Sequence, residues 1–126
     1  MSRIKSKDTK PEMVIRSKLH KAGYRFRLHV KGLPGKPDIV LPKHNTIIFV
    51  NGCFWHRHEG CEYAYKPKTR VDFWNQKLNR NIKRQGEVIK ELRDLEWKVL
   101  VIWECEVSNE KLIRDRFKLI KKVLKT

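Results

Sequence analysis

The cysteines of this chain and two of its histidines are spaced in a way that suits metal binding. Three candidate ligands lie in one short segment and a fourth follows much later: Cys53, His58, Cys61 and Cys105. Together they would form the closed tetrahedral Cys3His site of a structural zinc ion. Spacing alone does not choose between His58 and His56 as the histidine ligand. In the competing interpretation, Cys53 and Cys105 are small buried apolar residues and His58 lies at the surface.

An acidic residue at the start of a predicted strand is the candidate for binding a catalytic cation. Asp38 follows Pro37, and the next predicted strand ends at Val50 and Asn51. Nucleases of the PD-(D/E)xK type use such a hairpin to hold a divalent cation against the scissile phosphate. The second half of that signature is missing, because residues 47–50 supply neither a carboxylate nor a lysine. The competing interpretation is a turn aspartate that begins a strand.

Large aromatic side chains lie close to basic ones in and after the cysteine-rich segment. The aromatic residues are Phe54, Trp55, Phe73 and Trp74, and the basic ones are Arg57, Lys66, Lys68, Arg70 and Lys77. Basic side chains bind phosphates, and flat apolar ones can wedge between the base steps of a duplex. The alternative is that the aromatic rings pack in the core. Phe54 and Trp55 are adjacent and are difficult to bury together in a loop, which favours a nucleic-acid contact for at least one of them.

The composition agrees with a polyanionic partner. The 126 residues include 30 Lys and Arg against 14 Asp and Glu, so the formal net charge is +16 at pH 7. The positive charge is concentrated in residues 1–37 and 66–93, whereas residues 94–110 are acidic. Nucleic acid is therefore the expected partner, and a surface of scattered solubilising lysines is the alternative.

The same composition excludes other classes of protein. Hydrophobic residues make up 40% of the chain, which is too many for a disordered basic tail. The longest apolar runs are far shorter than the roughly 20 residues that span a membrane. No apolar segment follows Met1, so no secretory signal is expected. We expect one domain over residues 1–126, a monomer in the cytoplasm.

Sequence periodicity predicts the element order α-β-β-β-α-β-α, an α/β fold in which helices flank the sheet. Capping boxes at 9–12 and 69–72 predict where the first two helices begin. The predicted helices cover about 10–22 and 70–94, with a last one capped by Asn109, and the predicted strands cover 24–30, 38–41, 46–50 and 97–103. Residues 51–68 show no hydrophobic period, so this loop needs something other than a core to order it, and a metal ion would serve.

Several blocks of the sequence together resemble the very short patch repair (Vsr) DNA mismatch endonucleases. The blocks are Leu33–Asp38, Asn51–His58 with Cys61, Phe73-Trp74 and Trp103–Cys105. The resemblance extends over about residues 1–105 and implies a restriction-endonuclease-like core with a mixed sheet. It also implies that the protein uses Mg2+ to nick one strand of duplex DNA beside a T·G mismatch, the product of 5-methylcytosine deamination. A structural zinc ion and a bacterial cytoplasmic location, on the nucleoid when bound to DNA, are further implications.

The resemblance also implies a role for each catalytic residue. Asp38 and the main-chain carbonyl of Val50 would bind Mg2+. Glu12 would reach the cation through water, and His56 would be the general base or proton carrier. His58 would then complete the zinc site.

The contacts with DNA are implied in the same way. Phe54, Trp55 and Trp74 fall on the aromatic residues that intercalate next to the mismatch. Lys36, Arg57 and Arg70 are the basic residues that we expect to bind the duplex.

This chain departs from the family's pattern in three places. Asn51 stands where the pattern has a second histidine; it can hydrogen-bond a phosphate or a water but cannot exchange a proton near neutral pH. The interval between His58 and Cys61 holds Glu59-Gly60, and the N-terminal arm is short. Two alternatives therefore stay open: a restriction- or homing-type nuclease that cuts matched duplex, and a catalytically silent, zinc-containing DNA-binding module.

Overall fold

A computed structural model describes residues 9–61, 64 and 66–125, and the short N-terminal arm lies outside the described residues. The helices are α1 (Lys10–Lys21), α2 (Val71–Asp94), α3 (Glu104–Val107) and α4 (Glu110–Leu124), with a 3-10 turn at Pro42–His44. The strands are β1 (Arg27–Leu28), β2 (Ile39–Leu41), β3 (Thr46–Asn51) and β4 (Lys98–Trp103). The predicted α/β class and element order are confirmed, with α3 as an addition. None of the described helices is long and apolar enough to cross a membrane.

The four strands form one mixed sheet in the order β1-β2-β3-β4. β2 is antiparallel to both β1 and β3, whereas β4 runs parallel to β3. A parallel neighbour needs a crossover connection, and α2 provides it. The parallel register runs from Thr46 opposite Lys98 to Asn51 opposite Trp103. Both strands therefore end at the same edge of the sheet, and the segments with Cys53 and Cys105 begin there.

Both faces of the sheet are covered. One face packs against α1, α3 and α4 through Ile15, Leu19, Ile39, Leu41, Ile48, Ile102, Val107, Ile113, Ile120 and Leu124. The other face packs against α2 through Val40, Ile47, Phe49, Val88 and Leu92. Successive residues of a strand point to opposite faces, so β2 and β3 must be apolar at consecutive positions. This is the physical reason for their unbroken hydrophobic runs.

The helix starts follow the predicted caps in two cases out of three. The Thr9 hydroxyl accepts a hydrogen bond from the Glu12 N–H (3.4 Å), and Asn109 caps α4 by accepting from two backbone N–H groups. The capping box predicted at Thr69 is wrong. Helix α2 begins after Arg70, whose φ of 52° places it in the left-handed region without a side-chain cap.

Two elements differ from their predicted lengths. β1 has only two residues, although a strand was predicted over 24–30, and it ends where His29 turns into the left-handed region (φ 47°). The extra helix α3 directly follows β4. The Glu106 carboxylate of α3 accepts a hydrogen bond from the Trp103 N–H (2.9 Å) and forms an ion pair with Arg116 of α4 (2.6 Å). The contact with Arg116 joins two helices, and the N-cap Trp103 is not one of the usual capping residues Ser, Thr, Asp or Asn. Hydrophobic periodicity therefore did not reveal α3.

The loop before β2 packs its backbone closely against α2. Gly35 has φ 74°, and a Cβ there would lie 2.5 Å from Cγ1 of Val88. Gly23 has a similar φ of 85°, but nothing lies within 4 Å of a Cβ built on it. The two glycines share a backbone constraint and differ in packing.

We expect Gly35→Ala to lower the free energy of unfolding more than Gly23→Ala does. Both substitutions cost about 1–2 kcal/mol for a left-handed residue with a Cβ. Only Gly35→Ala adds an overlap with Val88, for which overpacking costs about 1–3 kcal/mol. Urea unfolding of the two variants and the wild type measures the difference. Equal losses in the two variants would contradict the close packing of this loop on α2.

Candidate active site and metal centres

A cleft of about 910 Å³ lies between α2, the end of β3 and the loop before β2. Asp38, Val50, Asn51 and His56 line it, together with four exposed basic residues: Lys31, Lys36, Lys77 and Arg84. The cleft thus combines a carboxylate and an imidazole with surrounding cations. This combination suits a phosphate-containing substrate.

Asp38 lies immediately before β2, and its carboxylate oxygen Oδ2 accepts a hydrogen bond from the Val50 N–H (2.9 Å). Ile39 pairs with Ile48, so the register puts Val50 opposite Pro37, which has no N–H to donate. The N–H and C=O of one strand residue point to the same side, so the Val50 carbonyl is directed toward the Asp38 side of β3.

The surroundings of the Asp38 carboxyl group disfavour its charged form. Burial raises its pKa to about 6, and the negative charge of Glu12 acts in the same direction, while the Val50 N–H opposes the shift. A buried carboxyl beside another carboxylate is stabilised as an anion when a cation binds both. The electrostatics of this position therefore agree with a cation site.

Glu12, in the first turn of α1, adds a second carboxylate beside Asp38. The residue is 1% exposed, and its Oε2 pairs with Arg16 and lies 3.1 Å from Nε2 of His29. One donor atom from each of Glu12, His29 and Asp38 can be chosen so that all three lie within 4.8 Å of one another. These residues could hold a metal ion. His29 was missed by the sequence analysis, where its only signal was a histidine on the basic face of the predicted strand.

His56 reaches the same cleft from the loop after β3. Its backbone N–H donates to the Gly52 carbonyl (3.2 Å), and its ring lies edge-on to Trp103. Burial lowers the pKa of His56 from its ordinary value of 6.5, so the imidazole is neutral at pH 7. Among the described residues, none hydrogen-bonds its buried Nδ1. Nε2 is therefore the nitrogen that can exchange a proton with a group in the cleft.

Asn51 does not have the exposed position expected for a phosphate ligand. It is 2% exposed, and its amide pairs reciprocally with Gln85 of α2 at 2.7 and 2.8 Å. While this pair is formed, Asn51 cannot bind a phosphate or a catalytic water. Its contribution in this structure is to fix the end of β3 against α2.

The cysteine cluster forms on the other side of the loop after β3. Donor atoms of Cys53, His58, Cys61 and Cys105 lie within 4.8 Å of one another. Nδ1 of His58 lies 3.6 Å from Sγ of Cys53 and 3.4 Å from Sγ of Cys105. The choice that spacing left open thus falls on His58, and His56 is free to line the cleft.

Neighbouring groups fix the orientation of these donors. The His58 ring stacks on Trp103, with centroids 4.0 Å apart and an interplanar angle of 6°. The Cys53 N–H donates to a Glu104 carboxylate oxygen (3.2 Å). Burial raises the pKa of both Cys53 and Cys105, so a bound cation is what would deprotonate them. Three sulfur donors and one nitrogen at this spacing fit a tetrahedral metal ion.

The aromatic residues form a packed cluster, and Trp55 of this cluster lines the cleft. Phe54 is 6% exposed and contacts Trp55 and Trp74 edge-on, with ring centroids 5.4 and 5.5 Å apart. The expectation that Phe54 itself intercalates does not agree with this burial. Phe54 instead supports the half-buried rings of Trp55 and Trp74, while Phe73 is 43% exposed.

The three basic residues expected to bind DNA have different surroundings. The Arg57 guanidinium donates to the side-chain oxygens of Asn75 (2.8 Å) and Asn79 (3.0 Å) of α2. Arg57 therefore ties the loop to α2 and is not positioned as a free phosphate contact. Lys36 is exposed in the cleft, and Arg70 is exposed and stacks on Phe73 at 4.4 Å.

Comparisons with known proteins agree on one family. The family model for the DNA mismatch endonuclease Vsr matches residues 1–62. The type II nicking enzyme V.XorIIP of Xanthomonas oryzae pv. oryzae is 45% identical over 120 residues, 95% of this chain and 88% of that protein. V.NmeAIP of Neisseria meningitidis, also a type II nicking enzyme, is 41% identical over 99% of this chain and 89% of its own length. The DNA mismatch endonuclease Vsr of Escherichia coli is 37% identical over 91% of this chain and 73% of its own length.

We expect Gln85→Ala to lower the free energy of unfolding by about 1–3 kcal/mol, because it leaves the buried amide of Asn51 unpaired. Gln76→Ala is the matched control, since Gln76 lies on the same helix and is exposed. Denaturant unfolding compares the two variants with the wild type. An equal, small effect of both substitutions would show that the amide pair does not fix the end of β3.

Proposed function

The chain belongs to the Vsr family of DNA mismatch endonucleases, and from that premise we propose that it uses Mg2+ to nick duplex DNA at T·G mismatches. It is a DNA endonuclease of the nicking type, as its relatives are. The proposed mismatch is the one left by deamination of 5-methylcytosine. The proposal includes double-stranded DNA as the partner, a monomer, and a bacterial cytoplasmic location with the protein on the nucleoid when bound.

The observation that carries this proposal is a cleft lined by Asp38, Val50 and His56 and bordered by exposed cations, with Glu12 beside Asp38. Buried carboxylate oxygens and a main-chain carbonyl are hard ligands of the kind that Mg2+ prefers. A neutral imidazole beside them suits a general base. No described residue at 47–50 adds a carboxylate or lysine, so His56 is the group that can take the proton.

The proposed mechanism assigns one task to each residue. Asp38 and the Val50 carbonyl would hold the cation, which when bound stabilises charge on the phosphate oxygens and acidifies water. His56 would accept a proton at Nε2 from the attacking water, for which its lowered pKa keeps the ring neutral. Lys36, Lys77 and Arg84 would bind the flanking phosphates.

We propose zinc for the cysteine cluster. Its donors, Cys53, His58, Cys61 and Cys105, supply all four positions of a tetrahedral ion, and such closed sites are structural. The ion would hold the loop that carries His56 and Trp55, both of which line the cleft. Zinc would thus act on catalysis only through the position of this loop.

The aromatic cluster supports recognition of a weakened base pair. Trp55 and Trp74 are half-buried, supported by Phe54 and accompanied by Lys77, whose Nζ lies 5.6 Å from the Trp55 ring. Unstacking a base step costs a few kcal/mol, and a mismatched step costs least. An aromatic wedge beside a phosphate-binding cation therefore favours mismatched over matched duplex. Arg70 would add a phosphate contact at the start of α2.

We expect Mg2+-dependent nicking of a T·G duplex and at least about 100-fold slower nicking by Asp38→Asn, because the cation would lose its charged ligand. Asp115→Asn, an exposed aspartate of α4, is the matched control and should nick at the wild-type rate. Denaturing gels with T·G and C·G duplexes in Mg2+ or EDTA give the rates.

The same gels separate the alternatives. Cutting of the C·G duplex at the same rate would replace the mismatch proposal with a nuclease of matched DNA. Binding of both duplexes without cleavage in any metal would indicate a silent DNA-binding module.

We expect one zinc ion per purified chain, lost in His58→Gln and kept in His56→Gln. Both variants change one histidine of the same loop, but only His58 lies among the cysteines. Elemental analysis measures the zinc, and thermal unfolding should show a lower Tm only for His58→Gln. Wild-type protein without zinc, or His58→Gln with a full equivalent, would remove the Cys3His proposal.

A further inference from the structure

His29 lies at the end of β1 in a backbone conformation that is unusual for a residue with a side chain. Its φ is 47°, and its N–H donates to the Asp38 carbonyl (3.2 Å). Left-handed residues other than glycine cost about 1–2 kcal/mol, and such strain is concentrated at functional sites. The hydrogen bond to Asp38 ties this conformation to the proposed cation ligand.

The left-handed turn changes where the imidazole of His29 lies. In a regular strand, His29 would point to the same face as Arg25 and Arg27, both of which are exposed. Instead its side chain is 26% exposed, and Nε2 lies 3.1 Å from Oε2 of Glu12. The same Nε2 is 3.0 Å from a guanidinium nitrogen of Arg16. The turn thus brings a nitrogen donor to two carboxylates, and Arg16 supplies the positive charge beside Glu12.

The spacing of the three donors fits one cation. Ligands on opposite sides of a Mg2+-sized ion lie about 4.2 Å apart, since each bond is roughly 2.1 Å long. The donor atoms of Glu12, His29 and Asp38 all lie within 4.8 Å of one another. Neighbouring ligands of such an ion lie about 3.0 Å apart, which the 3.1 Å between Glu12 Oε2 and His29 Nε2 already matches, and Asp38 lies near enough to join them.

We propose that His29 is a direct nitrogen ligand of the catalytic cation, alongside Asp38 and Glu12. This rests on the proposed function, in which Asp38 holds that cation. An imidazole in the ligand set raises the affinity for transition metals relative to Mg2+. The site should therefore bind Mn2+ more tightly than Mg2+, and His29 should account for much of the difference. In the competing interpretation, His29 is only a hydrogen-bond partner of Glu12 and does not touch the ion.

Electron spin echo envelope modulation of Mn2+ bound to the zinc-loaded protein distinguishes these interpretations, because it detects a directly bound nitrogen. We expect 14N modulation in the wild type, and its loss in His29→Asn together with at least about tenfold weaker Mn2+ binding. Mg2+ affinity should fall less. Asn tolerates the left-handed conformation, so this variant keeps the backbone. His20→Asn, an exposed histidine of α1, is the matched control and should behave as wild type.

Two further variants distinguish a wrong role for His29 from a wrong position of the proposed cation site. His56→Gln keeps the 14N modulation if His29 is its source. Asp38→Asn should abolish Mn2+ binding to this site; if it does not, the proposed cation site itself is wrong. Asp38-dependent Mn2+ without 14N modulation, or with modulation that persists in His29→Asn, overturns only the role of His29. His29→Gln, checked by zinc content and circular dichroism, provides the same comparison if His29→Asn does not fold.

Discussion

The parallel pairing of β3 with β4 is the interaction on which the cysteine cluster, and with it the loop that lines the cleft, depends. The ladder runs from Thr46 opposite Lys98 to Asn51 opposite Trp103 and places the ends of the two strands side by side. Cys53 follows β3 and Cys105 follows β4, so the pairing of the two strands brings together two thiols that are far apart in the sequence. A shift of this register by one residue would exchange the faces of every β4 side chain and separate the cysteines.

The cleft on the Asp38 side is held together by electrostatics. Glu12 is almost completely buried, and burial of Asp38 together with the negative charge of Glu12 raises the pKa of Asp38. Isolated buried charges are costly, and they persist where partners neutralise them. Among the described residues, Arg16 supplies the opposite charge to Glu12, and His29 places a ring nitrogen beside it. A cation bound between the two carboxylates would also neutralise their charge. This would explain why buried acidic groups are present in so basic a protein.

Local signals in the sequence predicted the elements, whereas long-range contacts decided the site. The Thr9 and Asn109 caps, the apolar β2 and β3 runs and the crossover helix α2 depend on residues close in sequence, and all were predicted. Spacing supplied the cysteine ligands and Asp38 as candidates, and the resemblance added the role of His56 and the choice of His58. The structure places these residues in the cysteine cluster and around the cleft. His29, Gln85 and the Arg57 contacts could not be predicted, because each depends on residues from another element. The position of the His29 side chain also depends on the left-handed backbone conformation of His29 itself, which the alternation of apolar and basic residues along the predicted strand does not indicate.

Helix α2 explains how a loop without an apolar core is held beside this cleft. Its C-terminal half packs Val88 and Leu92 on the sheet, as an amphipathic helix does. Its N-terminal half contacts the loop through amide side chains: Asn75 and Asn79 accept from Arg57, and Asn81 donates to the Trp55 carbonyl. Farther along the helix, Gln85 pairs with Asn51 at the end of β3. Hydrogen bonds constrain direction more than apolar contacts do, and each contributes only about 1 kcal/mol. The loop is therefore oriented by α2 and anchored at the cysteine cluster, so His56 is held at a fixed position relative to Asp38 while Trp55 remains accessible at the mouth of the cleft.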